Sequence, residues 1–284
     1  MNRLHTSSIL REWDALGNAP DARIDLLSAS ILVARDEYPE LDASACTSLL
    51  DEHARQVQRQ LAQNATTQQR LLALSRYLFE EAGFAGNHDA FYDPRNSYLN
   101  DVLERRLGIP LSLAVIQMEV ARRLEVPLEG VSFPGHFLVR LQVEGGLLVL
   151  DPYHRGRSID VEELRERASP HLGGATVDDQ QLLQMLAPAS NRVIVMRMLR
   201  NLKNLYEEQD QLDKAVRCAD RLVRLAPKQA DLVRDRGVLY HRLGYLQAAR
   251  TDLGHYLSLL PDANDAESMR ELLIDSTSTP PSLH

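Results

Sequence analysis

The chain has 284 residues, of which 44% are hydrophobic and 25% charged, enough for one or two domains with real cores. Its 32 basic and 40 acidic residues leave a formal charge of −8, and an acidic surface argues against generic binding to nucleic acid or anionic membrane, a local basic patch aside. Cys46 and Cys218 form neither a disulfide framework nor a zinc pattern. The opening MNRLHTSSILREW lacks the apolar core of a signal peptide, and no apolar run reaches about 18 residues, so a cytoplasmic protein is expected.

Residues 22–34 carry apolar side chains at helical spacing. Residues 43–63 read as a long helix with Leu49, Leu50, Val57 and Leu61 on one side, and residues 67–82 as another, ended by Gly83. The Gly-, Asn-, Asp- and Pro-rich stretch 83–96 is loop. Residues 97–107 are helical up to Gly108 and Pro110, and 111–124 form an apolar helix with a charged edge at Glu119, Arg122 and Arg123. The period then changes. Residues 131–143 alternate and 146–153 form a short apolar run after Gly145-Gly146, which predicts a β-hairpin. Residues 160–188 are helical in part, with a boundary at Ala187-Pro188. Helices followed by antiparallel strands give an α+β class.

The last third repeats itself. Leu205-Tyr206 returns as Leu239-Tyr240, Leu212 as Leu246, Ala215 as Ala249, Leu225 as Leu259 and Pro227 as Pro261. The offset is the 34-residue period of a tetratricopeptide repeat (TPR). Two repeats are expected at 194–227 and 228–261, with a capping helix near 264–275 and a disordered tail, STSTPPSLH. Arg197, Arg200, Lys203, Arg217, Arg221 and Arg224 make a basic stretch: a solvated surface with i,i+4 pairs, or a groove for an acidic peptide.

Three segments carry candidate chemistry. Gly108-Ile109-Pro110-Leu111-Ser112 opens a helix, Pro134-Gly135-His136-Phe137 lies on the first hairpin strand, and Asp151-Pro152-Tyr153 ends the second. A histidine held by a carboxylate is a general acid or base, and a nucleophile at a helix N-terminus would complete a triad. Ser112 is either that nucleophile or a first-turn residue bonded to backbone. His136 and Asp151 are either a working pair or a structural one. Asn96 and Asn100 either orient the site or cap the 97–107 helix. His154, His136, Asp151 and Glu119 have metal-ligating atoms, but their spacing matches no metal motif, and no metal or cofactor is expected.

The segments ILVARDEYPELD, LFEEAGFAGN, DPRNSYLNDVLERRLGIPLSL, EVARRLEVPLEGVSFPGHFLVR and LDPYHRG resemble, in this order, the bacterial SirB-type transglutaminase-like core proteins with C-terminal TPRs. The resemblance covers nearly the whole chain. It implies a papain/transglutaminase-like core whose nucleophile helix is followed by a histidine strand and an aspartate strand. His136 then matches the family's histidine and Asp151 its aspartate. One register puts Pro110 where the cysteine belongs and Ala114 on a small residue; a shift by two puts Ser112 there. Neither register contains a cysteine, which speaks against transglutaminase or cysteine-protease chemistry.

These readings divide the chain into an N-terminal helical part (1–92), a transglutaminase-like core (93–188) and a repeat module (189–284). The expected function is a non-catalytic interaction or indirect regulatory protein that holds a protein or peptide partner in the TPR groove, with no direct contact to nucleic acid. The alternative is a serine-type hydrolase or acyl-transferase using Ser112, His136 and Asp151, and a third reading reuses the cleft for a ligand near Asn96, Pro110 and His154.

Overall fold

The computed structural model describes residues 3–277, with side chains from residue 8 onward. Most of the tail expected to be disordered, residues 278–284, lies outside the described residues. The described residues form two compact units, one from Pro20 to Met198 and the other combining the residues up to Ala19 with those from Leu199 on.

In the first unit the helices begin where short polar side chains can cap them. Asp25 accepts the Ser28 N–H at 2.8 Å ahead of α2 (Leu26–Arg35), and Asp42 accepts the Ser44 N–H at 2.8 Å ahead of α3 (Ala43–Arg59). Thr66 and Gln69 form a capping box ahead of α4 (Thr67–Arg76). α4 runs on into a π-helical turn, Tyr77–Glu81. The loop region expected at 83–96 contains a two-residue strand, β1 (Ala85–Gly86), which pairs in parallel with β2 (Leu107–Gly108). Between β1 and β2 lie a 3-10 turn (Pro94–Asn96) and α5 (Leu99–Arg105).

α6 (Pro110–Arg123) is the central element. Leu111 through Gln117 are all buried, as are Glu119, Val120 and Ala121, so the helix is enclosed on every side. It touches α2 to α5 and the first two strands of the sheet that follows. The expected charged edge is partly internal: Glu119 is buried and bonded to Arg123 at 2.8 Å.

The sheet is antiparallel, in the order β3 (Glu129–Val131), β4 (Leu138–Val143), β5 (Gly146–Asp151), β6 (Arg157–Ser158). Val139 pairs with Leu150 and Val143 with Gly146. The expected strand 131–143 is therefore broken, and Pro134-Gly135-His136-Phe137 lies in the connection between β3 and β4 rather than on a strand. His136 N–H bonds Phe133 O at 3.1 Å, and Gly135 has φ +66°. Proline second and a left-handed glycine third make a type II turn, which alternation of apolar residues does not reveal. One face of the sheet packs Val131, Phe133, Leu138 and Val149 against Leu164 of α7 (Val161–Ala168) and Leu182 of α8 (Asp179–Met185).

The second unit holds α1 (Arg3–Asn18), most of α9 (Asn191–Glu208), α10 (Leu212–Leu225), α11 (Ala230–Arg242), α12 (Leu246–Leu259) and α13 (Ala266–Asp275). α10 and α12 start and end 34 residues apart, matching the repeat read from sequence. The turns correspond as well: Asp210 has φ +55° and Gly244, at the equivalent position, +76°. Both turns require the left-handed region, which glycine enters freely and aspartate tolerates. α1 groups with this unit, not with the residues up to 92, because Trp13 is fully buried there and α1 packs on α10.

Candidate functional site

Pro110 is the first residue of α6, where its missing N–H costs nothing and its fixed φ suits the helix. Its ring occupies the helix N-terminus, where the resemblance expects a nucleophile. Ser112, one half-turn on, is buried. Its hydroxyl donates to Asn96 O at 2.6 Å, lies 3.2 Å from Ile109 O, and accepts the Ile109 N–H at 3.1 Å. Among the described residues no hydrogen bond joins Ser112 to His136 or Asp151.

His136 and Asp151 do meet. Asp151 ends β5, is fully buried, and its Oδ1 lies 2.9 Å from His136 Nε2. The same oxygen accepts the N–H groups of Tyr153 at 3.1 Å and His154 at 3.3 Å, which begin a 3-10 turn. The other oxygen accepts from Arg167 of α7 at 2.9 Å and lies 2.7 Å from His154 Nδ1. Burial alone would raise this carboxyl. The bond and charge of His136, with the bonds from Arg167 and His154, outweigh burial and hold it far below the usual carboxylate range. Arg167 also donates to Glu163 at 2.6 Å, and Glu163 is pulled down to about 2 by its bond to Arg157 and then by Arg167.

The turn carrying His136 is braced from behind. Arg197 donates to Ser132 Oγ at 2.7 Å, Phe133 O at 3.0 Å and His136 O at 2.7 Å. Aromatic rings flank the pair. Tyr153 lies edge-on to His88 with ring centres 4.7 Å apart, and its hydroxyl is 3.2 Å from His88 Nδ1. Phe91 and Tyr92 are exposed beside it.

The remaining expected site residues are placed as follows. Asn96 is fully buried: its amide donates to Ala90 O at 2.6 Å and Phe91 O at 3.1 Å, and its carbonyl accepts from Asn87 at 2.9 Å. It closes the 87–96 loop and does not cap α5, whose leading residue, Tyr98, makes no side-chain cap. Pro110 is half-buried, and His154 is exposed. Both cysteines are buried, and burial pushes the Cys46 thiol up, away from the thiolate form that a nucleophile uses. Arg167 and Arg197 are absent from the sequence reading of the site. Neither has a local signal, since each reaches it through the fold.

Of the basic stretch of the repeats, Arg221 is buried and the other five side chains are half-buried, two of them in the expected i,i+4 pairs. Arg197 braces the turn, Arg221 is buried beside Asp220 at 2.7 Å, and Arg224 bonds Asp220 at 2.7 Å. Lys203 pairs with Glu207 at 2.9 Å. A separate groove of about 670 Å³ lies between α11 and α12, lined by Arg236, Tyr240, Tyr245, Gln247 and Thr251. Arg236 is held there by Asp252 at 2.7 and 2.9 Å. No helix among the described residues is long and apolar enough to cross a membrane.

Residues 44–200 match the transglutaminase-like superfamily and residues 202–274 the tetratricopeptide repeat, a module that generally mediates protein–protein contact. A UPF0162 protein of Xylella fastidiosa is 50% identical over 267 residues, covering 94% of this chain and 95% of that one. A UPF0162 protein of Pseudomonas aeruginosa is 34% identical over 252 residues, covering 89% and 90%. Protein SirB1 of Salmonella typhimurium is 26% identical over 214 residues, covering 75% and 78%. No solved structure matches the chain. The α+β fold, the helix–histidine–aspartate order and these matches agree: the chain belongs to the transglutaminase-like superfamily and carries a TPR module after that domain.

Proposed function

We propose that this protein works without catalysis, as a cytoplasmic, transglutaminase-like interaction factor whose repeats hold a protein or peptide partner. The observation that carries this reading is the N-terminus of α6. Pro110 stands at its first position, and the Ser112 hydroxyl is spent on Asn96 O and the Ile109 backbone. A general base without a nucleophile within its reach does no acyl transfer. The His136–Asp151 pair then serves to fix the β5 end and the turn before β4. Use of Ser112 by the serine-type alternative would first require breaking its bond to Asn96 O.

The partner surface fits the groove lined by Tyr240, Tyr245 and Gln247, which offers exposed aromatic area beside an anchored arginine. The family likeness suggests a regulatory role. The charge of −8 makes direct DNA reading a poor fit, so any effect on gene expression would be indirect. The test is crosslinking in native cells followed by mass spectrometry, comparing the wild-type chain with Tyr245→Glu, Ser112→Ala and His136→Ala. The expected result is a partner lost in Tyr245→Glu and kept in the other two. A substrate turned over by wild type but by neither Ser112→Ala nor His136→Ala would overturn the reading.

A further inference from the structure

We propose that His136, His154 and Asp151 form a binding site for a first-row divalent cation of the Zn²⁺ class. One ligating atom from each of the three lies within 4.8 Å of the others, and no other group of three His, Cys, Asp or Glu side chains does so among the described residues. Two imidazoles and one carboxylate are a donor set that suits zinc and its neighbours. Calcium and magnesium take oxygen ligands instead.

The present hydrogen bonds show how such an ion fits. His136 Nε2 lies 2.9 Å from one oxygen of Asp151 and His154 Nδ1 2.7 Å from the other. Both rings already aim a nitrogen at the carboxylate. A cation taking bonds of about 2.0–2.2 Å would replace the shared protons with small ring movements. The carboxylate is anchored independently of the histidines by Arg167 and by the N–H groups of Tyr153 and His154. Ligating carboxylates are commonly held by such outer bonds. The Arg167 charge, which would repel a cation, is opposed by Glu163 at 2.6 Å.

The arrangement is also open on one side. The His154 side chain is 42% exposed, against 16% for His136 and none for Asp151. An ion can enter past His154 and keep positions for water or a further ligand. Ion binding can be measured in the absence of any substrate or TPR partner.

The test uses the full chain, stripped with a chelator and dialysed. It is titrated with Zn²⁺ by calorimetry and with Co²⁺ by visible absorption. The expected result is a single saturable equivalent, weakened roughly 10- to 100-fold or more in His154→Ala and in His136→Gln. His255→Ala, which alters an exposed histidine of the repeats, should bind as wild type. Far-UV circular dichroism checks that each variant is folded. His154 is exposed, so its truncation leaves the core packing in place. Absence of saturable binding in the wild-type chain, or wild-type affinity in both His154→Ala and His136→Gln, overturns the proposal.

Discussion

Replacing Asp151 with alanine removes the acceptor of five donors at once: two imidazoles, one guanidinium and two backbone N–H groups. Breaking a buried charged pair costs about 3–5 kcal/mol when the partner is left stranded. The low end applies here, because His154 can turn to water and Arg167 keeps Glu163. The donors left stranded are His136 Nε2 and the N–H groups that open the 3-10 turn. The expected loss is about 3 kcal/mol, a large part of a typical domain's 5–15 kcal/mol. Urea unfolding followed by far-UV circular dichroism measures it, fitted for more than one transition because the chain has two units. A change below about 0.5 kcal/mol, the range of ordinary surface substitutions, would refute the claim that this carboxylate holds the site together.

Acid should reproduce part of that loss. The folded pKa of Asp151 is depressed, so its contribution is complete above the unfolded aspartate value of about 4 and declines as pH falls toward the folded value. Wild type should lose stability in that window, and Asp151→Ala should lose less; equal slopes would contradict this. Arg197→Met should cost about 3 kcal/mol, since two backbone carbonyls and Ser132 lose a charged donor, and hydrogen exchange should rise at the His136 N–H. Gly244→Ala should cost about 1 kcal/mol from backbone strain alone, because φ is +76° and nothing lies within 4 Å of the added carbon. Fluorescence of Trp13, the chain's single tryptophan, reads it from the same unit, and an unchanged midpoint would refute it.

The repeat module was legible because a fixed period places equivalent side chains at equivalent positions, down to the left-handed residues Asp210 and Gly244. The His136–Asp151 meeting was legible because the two motifs flank paired strands. The break at Pro134-Gly135 was not read, since the apolar alternation runs through it and masks a turn whose signal is two residues long. Asn96 looked like a cap because it precedes a helix, but its side chain is spent on the loop behind it. Arg167 and Arg197 could not be found from spacing. Each acts on a segment distant in sequence, Arg197 across more than 60 residues. The grouping of α1 with the repeats is likewise a tertiary fact, fixed by where Trp13 is buried rather than by any pattern inside α1.

The most direct test of a site without a nucleophile is covalent. The purified chain is treated with serine- and cysteine-directed acylating probes and weighed intact, beside Ser112→Ala and His136→Ala. No adduct should form on Ser112, whose hydroxyl is buried and donates to Asn96 O at 2.6 Å. An adduct on Ser112 that disappears in His136→Ala would show a working nucleophile and base, and would contradict the non-catalytic reading.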